Sequence, residues 1–188
     1  MENSIKIGNH YYDINSDHFR LEWGESLSNF SELSYLSQFP NLRSATFTNT
    51  NLNDEGLAHV SDCSMIDNLN LQDTEITNEG IQYLQNLYTL RYLRLKDNLQ
   101  LTDECVPYLI ELESLENLEI QETSITENGL KKLTALKYLE KLSIYVQNNN
   151  YTFEGLLQIS RELPKDCELL AKGNGSFYNG EFKGTWKD

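Results

Sequence analysis

Apolar residues recur along this chain in a unit of 24 or 25 positions. From Leu69 the unit reads L-N-L-Q-D-T-E-I-T-N-E-G-I-Q-Y-L-Q-N-L-Y-T-L-R-Y, and from Leu118 it reads L-E-I-Q-E-T-S-I-T-E-N-G-L-K-K-L-T-A-L-K-Y-L-E-K. The starts Ala45, Leu69, Leu93, Leu118 and Leu142 lie 24, 24, 25 and 24 residues apart. A further 24 residues back stands Leu21, with Trp23, Leu33, Leu36, Phe39 and Leu42 in register, and a partial unit opens near Cys167 and Leu169. Within each unit the period changes. Its opening alternates every second residue, which predicts a short strand with its leucines inward. The pairs Leu57/Val60, Ile81/Leu84 and Leu130/Leu133 then recur every third residue, which predicts a short helix. Between the two stand Asn53, Thr77, Thr102, Thr126 and Thr152, residues that cap helices by accepting from backbone N–H groups. Asp54, Glu55, Glu79, Asp103, Glu104, Glu127 and Glu154 follow, where the helix dipole favours each carboxylate by ~0.3–1 kcal/mol. Gly56, Gly80, Gly129 and Gly155 share one register, as if the backbone passed close to its neighbour there.

One such unit cannot bury its own apolar face, so successive units must stack on one another. The pattern L-x-x-L-x-L-x-x-[TN]-x-[LI] is filled by Leu115, Leu118, Ile120, Thr123 and Ile125, and again by Ile66, Leu69, Leu71, Thr74 and Ile76. On these residues the chain resembles the leucine-rich repeat family, with the tail I-T-x-x-G-L-x-x-L-x-x-L similar to the 24–26-residue repeats of F-box-associated and bacterial members. The resemblance implies an α/β solenoid of about six or seven repeats, with a curved parallel sheet on the concave face and short helices on the convex face. A single domain over 1–188 is expected: an N-terminal cap at 1–20, repeats at 21–170 and a C-terminal capping hairpin at 171–188. The unit Leu93–Asn117 is irregular. It has an extra residue near Leu99, Gln100 and Leu101, Cys105 at the glycine register, and Pro107 within its helix, which predicts a shortened or bent helix.

Composition narrows the function. Fifteen Lys and Arg against 29 Asp and Glu leave a formal charge of −14, which argues against nucleic acid and against attachment to anionic lipid. The first 13 residues hold no apolar core of a signal peptide, and no stretch approaches the ~18 apolar residues of a membrane span. Cys63, Cys105 and Cys167 are odd in number and widely spaced, fitting neither a disulfide framework nor a zinc site. The expectation is a cytoplasmic protein without membrane association. His10, His18 and His59 are expected outside the concave face, with no nucleophile in their register and no phosphate loop in the chain. No catalytic residue, metal or cofactor is expected.

Binding is expected on the outward residues of the strands. Asp73, Asp97 and Glu122 fall in one column, with Glu25 assigned to it further back. Asn70, Gln72, Glu119 and Gln121 stand beside it, and Tyr92, Arg94 and Lys96 cluster mid-arc with Tyr145 two strands on. Tyr and Arg are enriched where interfaces concentrate their energy. From the resemblance, the expected role is a non-enzymatic module that binds a protein partner and is itself monomeric when unbound. The sharpest form is an acidic inhibitor, of the immunity-protein kind, that neutralises a basic toxin. The alternatives are a substrate-recognition or effector-type adaptor, and a self-associating structural protein.

Overall fold

The computed structural model describes residues 3–146 and 150–187. Met1, Glu2, Gln147–Asn149 and Asp188 lie outside the described residues. The repeats become strands in one nine-stranded sheet: β3 (His18–Arg20), β4 (Ser44–Thr46), β5 (Asn68–Asn70), β6 (Tyr92–Arg94), β7 (Asn117–Glu119), β8 (Lys141–Tyr145) and β9 (Glu168–Lys172) run parallel. Ala45, Leu69, Leu93, Leu118, Leu142 and Leu169 pair in register, and all are fully buried. Each strand is only three residues long across most of the arc, because the inward leucine and its two flanking residues are all that the repeat commits to the sheet.

The return segments are tighter than ordinary helices. Phe30–Gln38 and Gly80–Asn86 are 3₁₀ turns. Helices α1 (Asp54–Ser61), α2 (Val106–Leu109), α3 (Glu127–Leu133) and α4 (Phe153–Glu162) are α-helical. Leucines three apart stack directly on a helix of three residues per turn, so a strict Leu-x-x-Leu spacing suits the 3₁₀ form. Pro107 sits in the first turn of α2, and that helix is the shortest, a single turn of four residues. The shortening expected from the sequence is therefore present. The extra residue nearby is absorbed by a loop that turns Leu99 outward, 69% exposed, while Leu101 stays in the core.

The first repeat differs from the sequence reading. β3 begins at His18, inside the segment assigned to the cap, and Phe19 rather than Leu21 pairs with Ala45. Leu21 is buried one step on, its N–H donating to Thr46 O at 3.0 Å as Phe47 N–H does to Asn70 O at 2.9 Å. Trp23 is an extra residue in the turn, and it is 69% exposed rather than in the core. Counting back a fixed 24 residues missed this, because the turn of the first unit is longer. Ahead of β3, the hairpin β1 (Ser4–Ile7) and β2 (His10–Asp13) forms a separate two-stranded sheet. Ile7 is buried, and the Tyr12 ring lies 4.7 Å from Phe19. At the other end, β10 (Gly175–Tyr178) and β11 (Glu181–Gly184) continue the main sheet as antiparallel strands. Phe153, Phe177, Phe182 and Trp186 close that end with ring centroids 4.6–6.2 Å apart.

The carboxylates behind the caps tie one repeat to the next. Asp54 accepts from the N–H and hydroxyl of Thr77 at 2.8 and 2.7 Å, and Asp103 does the same for Thr126 at 2.7 and 2.6 Å. Glu127 accepts from Thr152 at 3.1 and 2.9 Å. Where the sequence has Asn78 instead, its amide accepts from Thr102 N–H at 2.9 Å and donates to the Thr102 hydroxyl at 3.0 Å. Asn53, Thr126 and Thr152 also cap their own helices. Burial pushes the Glu127 carboxyl up, but the Thr152 bonds and Lys131 outweigh it and hold it below the usual carboxylate range. A carboxyl whose folded pKa is depressed contributes stability that is complete above the unfolded pKa and is lost as pH falls through the folded one. Glu127→Gln is therefore expected to lessen the loss of stability between about pH 6 and pH 3, read from urea midpoints at the two values. An acid-side loss equal to that of the parent protein would contradict this role.

Candidate functional site: the concave sheet

Alternation along three-residue strands sends two residues of each to the concave face, and a third follows just beyond the strand. The first column is Ser44, Asn68, Tyr92, Asn117 and Lys141, and the second is Thr46, Asn70, Arg94, Glu119 and Ser143. The third is Thr48, Gln72, Lys96, Gln121 and Tyr145. His18 pairs with Ser44 and so belongs to the first column, contrary to the expectation that no histidine lies on this face.

The centre of the face is joined by its own hydrogen bonds. Glu119 accepts from the Tyr92 hydroxyl and from Arg94 Nη1, each at 2.5 Å. Arg94 Nε donates to Gln72 Oε1 at 2.9 Å, and Gln72 Nε2 donates onward to Asp97 at 2.7 Å. Lys96 Nζ stands 3.0 Å from Asp97 and 3.6 Å from Glu122. Six side chains on three repeats thus form one lattice, with Glu122 at its edge. Burial, and then the bond to Glu119, raise the Tyr92 hydroxyl pKa. The bond to Asp97 raises that of Lys96, which keeps its charge. Hydrogen bonding with Asp97 pushes the Glu122 carboxyl up. Asp97 is itself pushed up by burial, but its bonds to Glu122, Lys96 and Gln72 outweigh that and leave it lowered.

The acidic column has a backbone cause. Asn49, Asp73, Asp97 and Glu122 all have positive φ, between 54° and 61°, and Gly24 closes the same corner at 75°. Asn, Asp and Gly are the residues that tolerate this left-handed conformation, which accounts for Asn49, Asp73, Asp97 and Gly24 but not for Glu122. The repeated acids mark a turn at the end of each strand. Glu25 is not among them. Its side chain is 7% exposed beneath the N-terminal hairpin, where Oε1 accepts from Asn9 N–H at 3.0 Å and Oε2 lies 3.6 Å from His10 Nε2. The assignment of Glu25 to the column is corrected accordingly: the first turn carries one more residue, so counting by repeat length overshot by one. Asp73 remains exposed, with Asn49 donating to it at 2.5 Å.

Of the other expected residues, Asn70 turns its amide back to Gln72 N–H at 3.0 Å, and Tyr145 stands half-buried at the end of β8. Gln121 is 4% exposed, donating weakly to Glu119 at 3.5 Å. Sequence reasoning missed Glu168, which pairs with Lys141 at 2.8 Å and accepts from Ser176 at 2.6 Å, extending the face onto β9 and β10. It also missed Asn98. That residue is fully buried, donates to the carbonyls of Leu71, Leu95 and Lys96 and accepts from Thr74 N–H. Its signal was the [TN] register, where Thr50, Thr74 and Thr123 donate their hydroxyls to the carbonyl three residues back within their own repeat. The three cysteine thiols are buried, and burial pushes them up to about 11 at Cys63 and about 12 at Cys105 and Cys167.

No family model and no curated protein matches this sequence. Solved structures do. An internalin C2 from Listeria monocytogenes is similar at 20% identity and TM-score 0.50, covering 66% of this chain and 51% of its own. A second internalin from the same organism is similar at 16% identity and TM-score 0.56, covering 84% of this chain and 48% of its own. The fold is a leucine-rich repeat solenoid. A leucine-rich repeat protein of Leptospira interrogans is also similar, at 18% identity and TM-score 0.45, covering 74% of this chain and 33% of its own. The chain spans about half the length of the two internalins. In the solenoid, the recurring turn geometry and the buried leucines are the scaffold, and the three outward columns vary from repeat to repeat. Among the described residues no helix is long and apolar enough to cross a membrane.

Proposed function

We propose that this solenoid is a non-enzymatic module that binds a protein partner on its concave face, centred on Tyr92, Arg94 and Glu119. The observation that carries this is the lattice from Gln72 through Arg94 and Glu119 to Tyr92, in which long side chains are held in one arrangement by bonds of 2.5–2.9 Å. Side chains already ordered lose less entropy when a partner docks, so more of the contact energy appears as affinity. Tyr and Arg supply the area and the donors for such contacts.

The lattice supports a mixed rather than a uniformly acidic recognition surface. Lys96 already bridges Asp97 and Glu122, so the carboxylate in this column best placed to meet a cation is the exposed Asp73. Inhibition of a basic protein by occupancy is the sharper form of the proposal, drawing on Asp73 and on the overall charge of −14.

Capture from native lysate tests the site, using the parent chain, Tyr92→Ala/Arg94→Ala, and the convex-face variant Tyr83→Ala. A protein retained by the parent and the convex variant should bind the concave variant roughly 30-fold more weakly, the effect of removing about 2 kcal/mol at an interface centre. Equal retention by all three would overturn the assignment. If the partner is basic, Asp73→Lys should weaken the complex further at low salt and by less at high salt.

A further inference from the structure

The two ends of the sheet are finished differently. On β3, odd-numbered residues face β4: Asp17 O accepts from Ser44 N–H, and Leu21 N–H donates to Thr46 O. His18 therefore turns its backbone outward, and the Ser16 hydroxyl satisfies it, accepting from His18 N–H at 3.1 Å and donating to His18 O at 2.6 Å. That side chain blocks the edge at His18, the first of the two residues of β3 that face outward. On β11, Thr185 N–H donates to Asn174 O at 2.8 Å, and Lys183 and Glu181 pair with Ser176 and Tyr178 in the same phase. Phe182 and Gly184 therefore turn their N–H and C=O groups away from the sheet. Among the described residues nothing pairs with them.

We propose that β11 is a self-association edge, at which a second copy of this chain adds antiparallel across a two-fold axis with Phe182 opposite Phe182. The charges select both the occupant and the register. Phe182 packs on the helix side with Phe153 and Phe177, whereas Glu181 and Lys183 alternate with it onto the concave side and are exposed. Outward-facing backbone groups can meet only in hydrogen-bonded pairs, so the register moves in steps of two. Setting Phe182 opposite Gly184 places Lys183 against Lys183, and setting it opposite Gly180 places Glu181 against Glu181. Like charges directly opposed destabilise a strand pair. With Phe182 opposite Phe182, Glu181 of each copy faces Lys183 of the other, twice. Lys183 already lies over the Tyr178 ring at 5.7 Å, which holds it on that face. The two-fold runs through the sheet, so both concave faces open to the same side.

Sedimentation of the full chain over a range of concentrations tests this. The parent chain should shift from monomer towards dimer between the micromolar and millimolar ranges, as expected of a short edge. Glu181→Lys alone and Lys183→Glu alone should each weaken self-association at least tenfold, with unchanged melting curves, because both residues are exposed. An equimolar mixture of the two variants should associate again, since each then offers the charges the other lacks. A parent chain that stays monomeric, variants that associate like the parent, or a mixture that fails to recover would each overturn the proposal.

Discussion

Replacing Asn98 by Ala is expected to destabilise the protein by about 3 kcal/mol or more, since four backbone groups lose a bond and two of them, Leu95 O and Thr74 N–H, keep no other among the described residues, at ~1–3 kcal/mol for each buried group left unsatisfied. The Asn98 amide reaches the carbonyls of Leu71, Leu95 and Lys96 and accepts from Thr74 N–H at 3.1 Å, linking two repeats at a fully buried point. Gln100 also donates to its Oδ1, at 3.1 Å, so the loop that absorbs the extra residue depends on the same amide. Thr123→Val offers the contrast. Thr123 bonds only to Ile120 O within its own repeat, so its loss should cost about 1 kcal/mol. Urea midpoints that rank the two variants equally would show that the link between repeats adds nothing.

The second large effect is a reversal of sign. Gly→Ala inside a helical segment ordinarily stabilises by up to ~1 kcal/mol. At Gly80 it is expected to destabilise by on the order of 1–3 kcal/mol, the usual range for overpacking. A Cβ there would lie 2.0 Å from Asp54 Oδ1 and 2.5 Å from its Cγ, in the space of the carboxylate that holds Thr77. Asp54 would have to swing away and give up both bonds. In an Asp54→Ala background that obstruction is gone, so Gly80→Ala should become neutral or stabilising. A double-mutant cycle reads the coupling directly. Purely additive effects would mean that the glycine register has some cause other than the neighbouring carboxylate.

The same contact shows how far the sequence could be read. Gly80, Gly129 and Gly155 were recognisable as a register of close approach. What approaches is the side chain of the preceding repeat, Asp54, Asp103 or Glu127, and not a backbone. The acids behind the caps were attributable to the helix dipole, yet Asp54, Asp103 and Glu127 bond sideways to the next threonine. In both cases the relevant neighbour is one repeat away, about 24 residues along the chain, where periodicity reports that a position recurs but not what it touches. The candidate site was legible to a similar depth. Tyr92, Arg94, Lys96, Glu119 and Gln72 were placed together correctly because parallel strands in register convert sequence spacing into neighbourhood. Glu25 and Trp23 were misplaced because the first repeat is longer: Phe19 pairs with Ala45, 26 positions on, two more than the 24-residue spacing.

The sequence by itself determined the repeat, its inward leucines, its caps at Asn53, Thr126 and Thr152 and the columns that face outward, because each follows from a local period of two or three residues repeated through the chain. Tertiary structure decided how those columns interact: which carboxylates are neutralised by Lys96 and Arg94, that the acidic column is a left-handed corner, and that Ser16 occupies the backbone of His18 at one edge of the sheet while the β11 edge has no such side chain among the described residues. The physical reason is that hydrogen bonds and ion pairs need donor–acceptor distances of about 3 Å, met to within a few tenths of an ångström, between side chains of adjacent repeats. A periodic pattern brings such side chains near one another, but only the packed solenoid sets which of them meet.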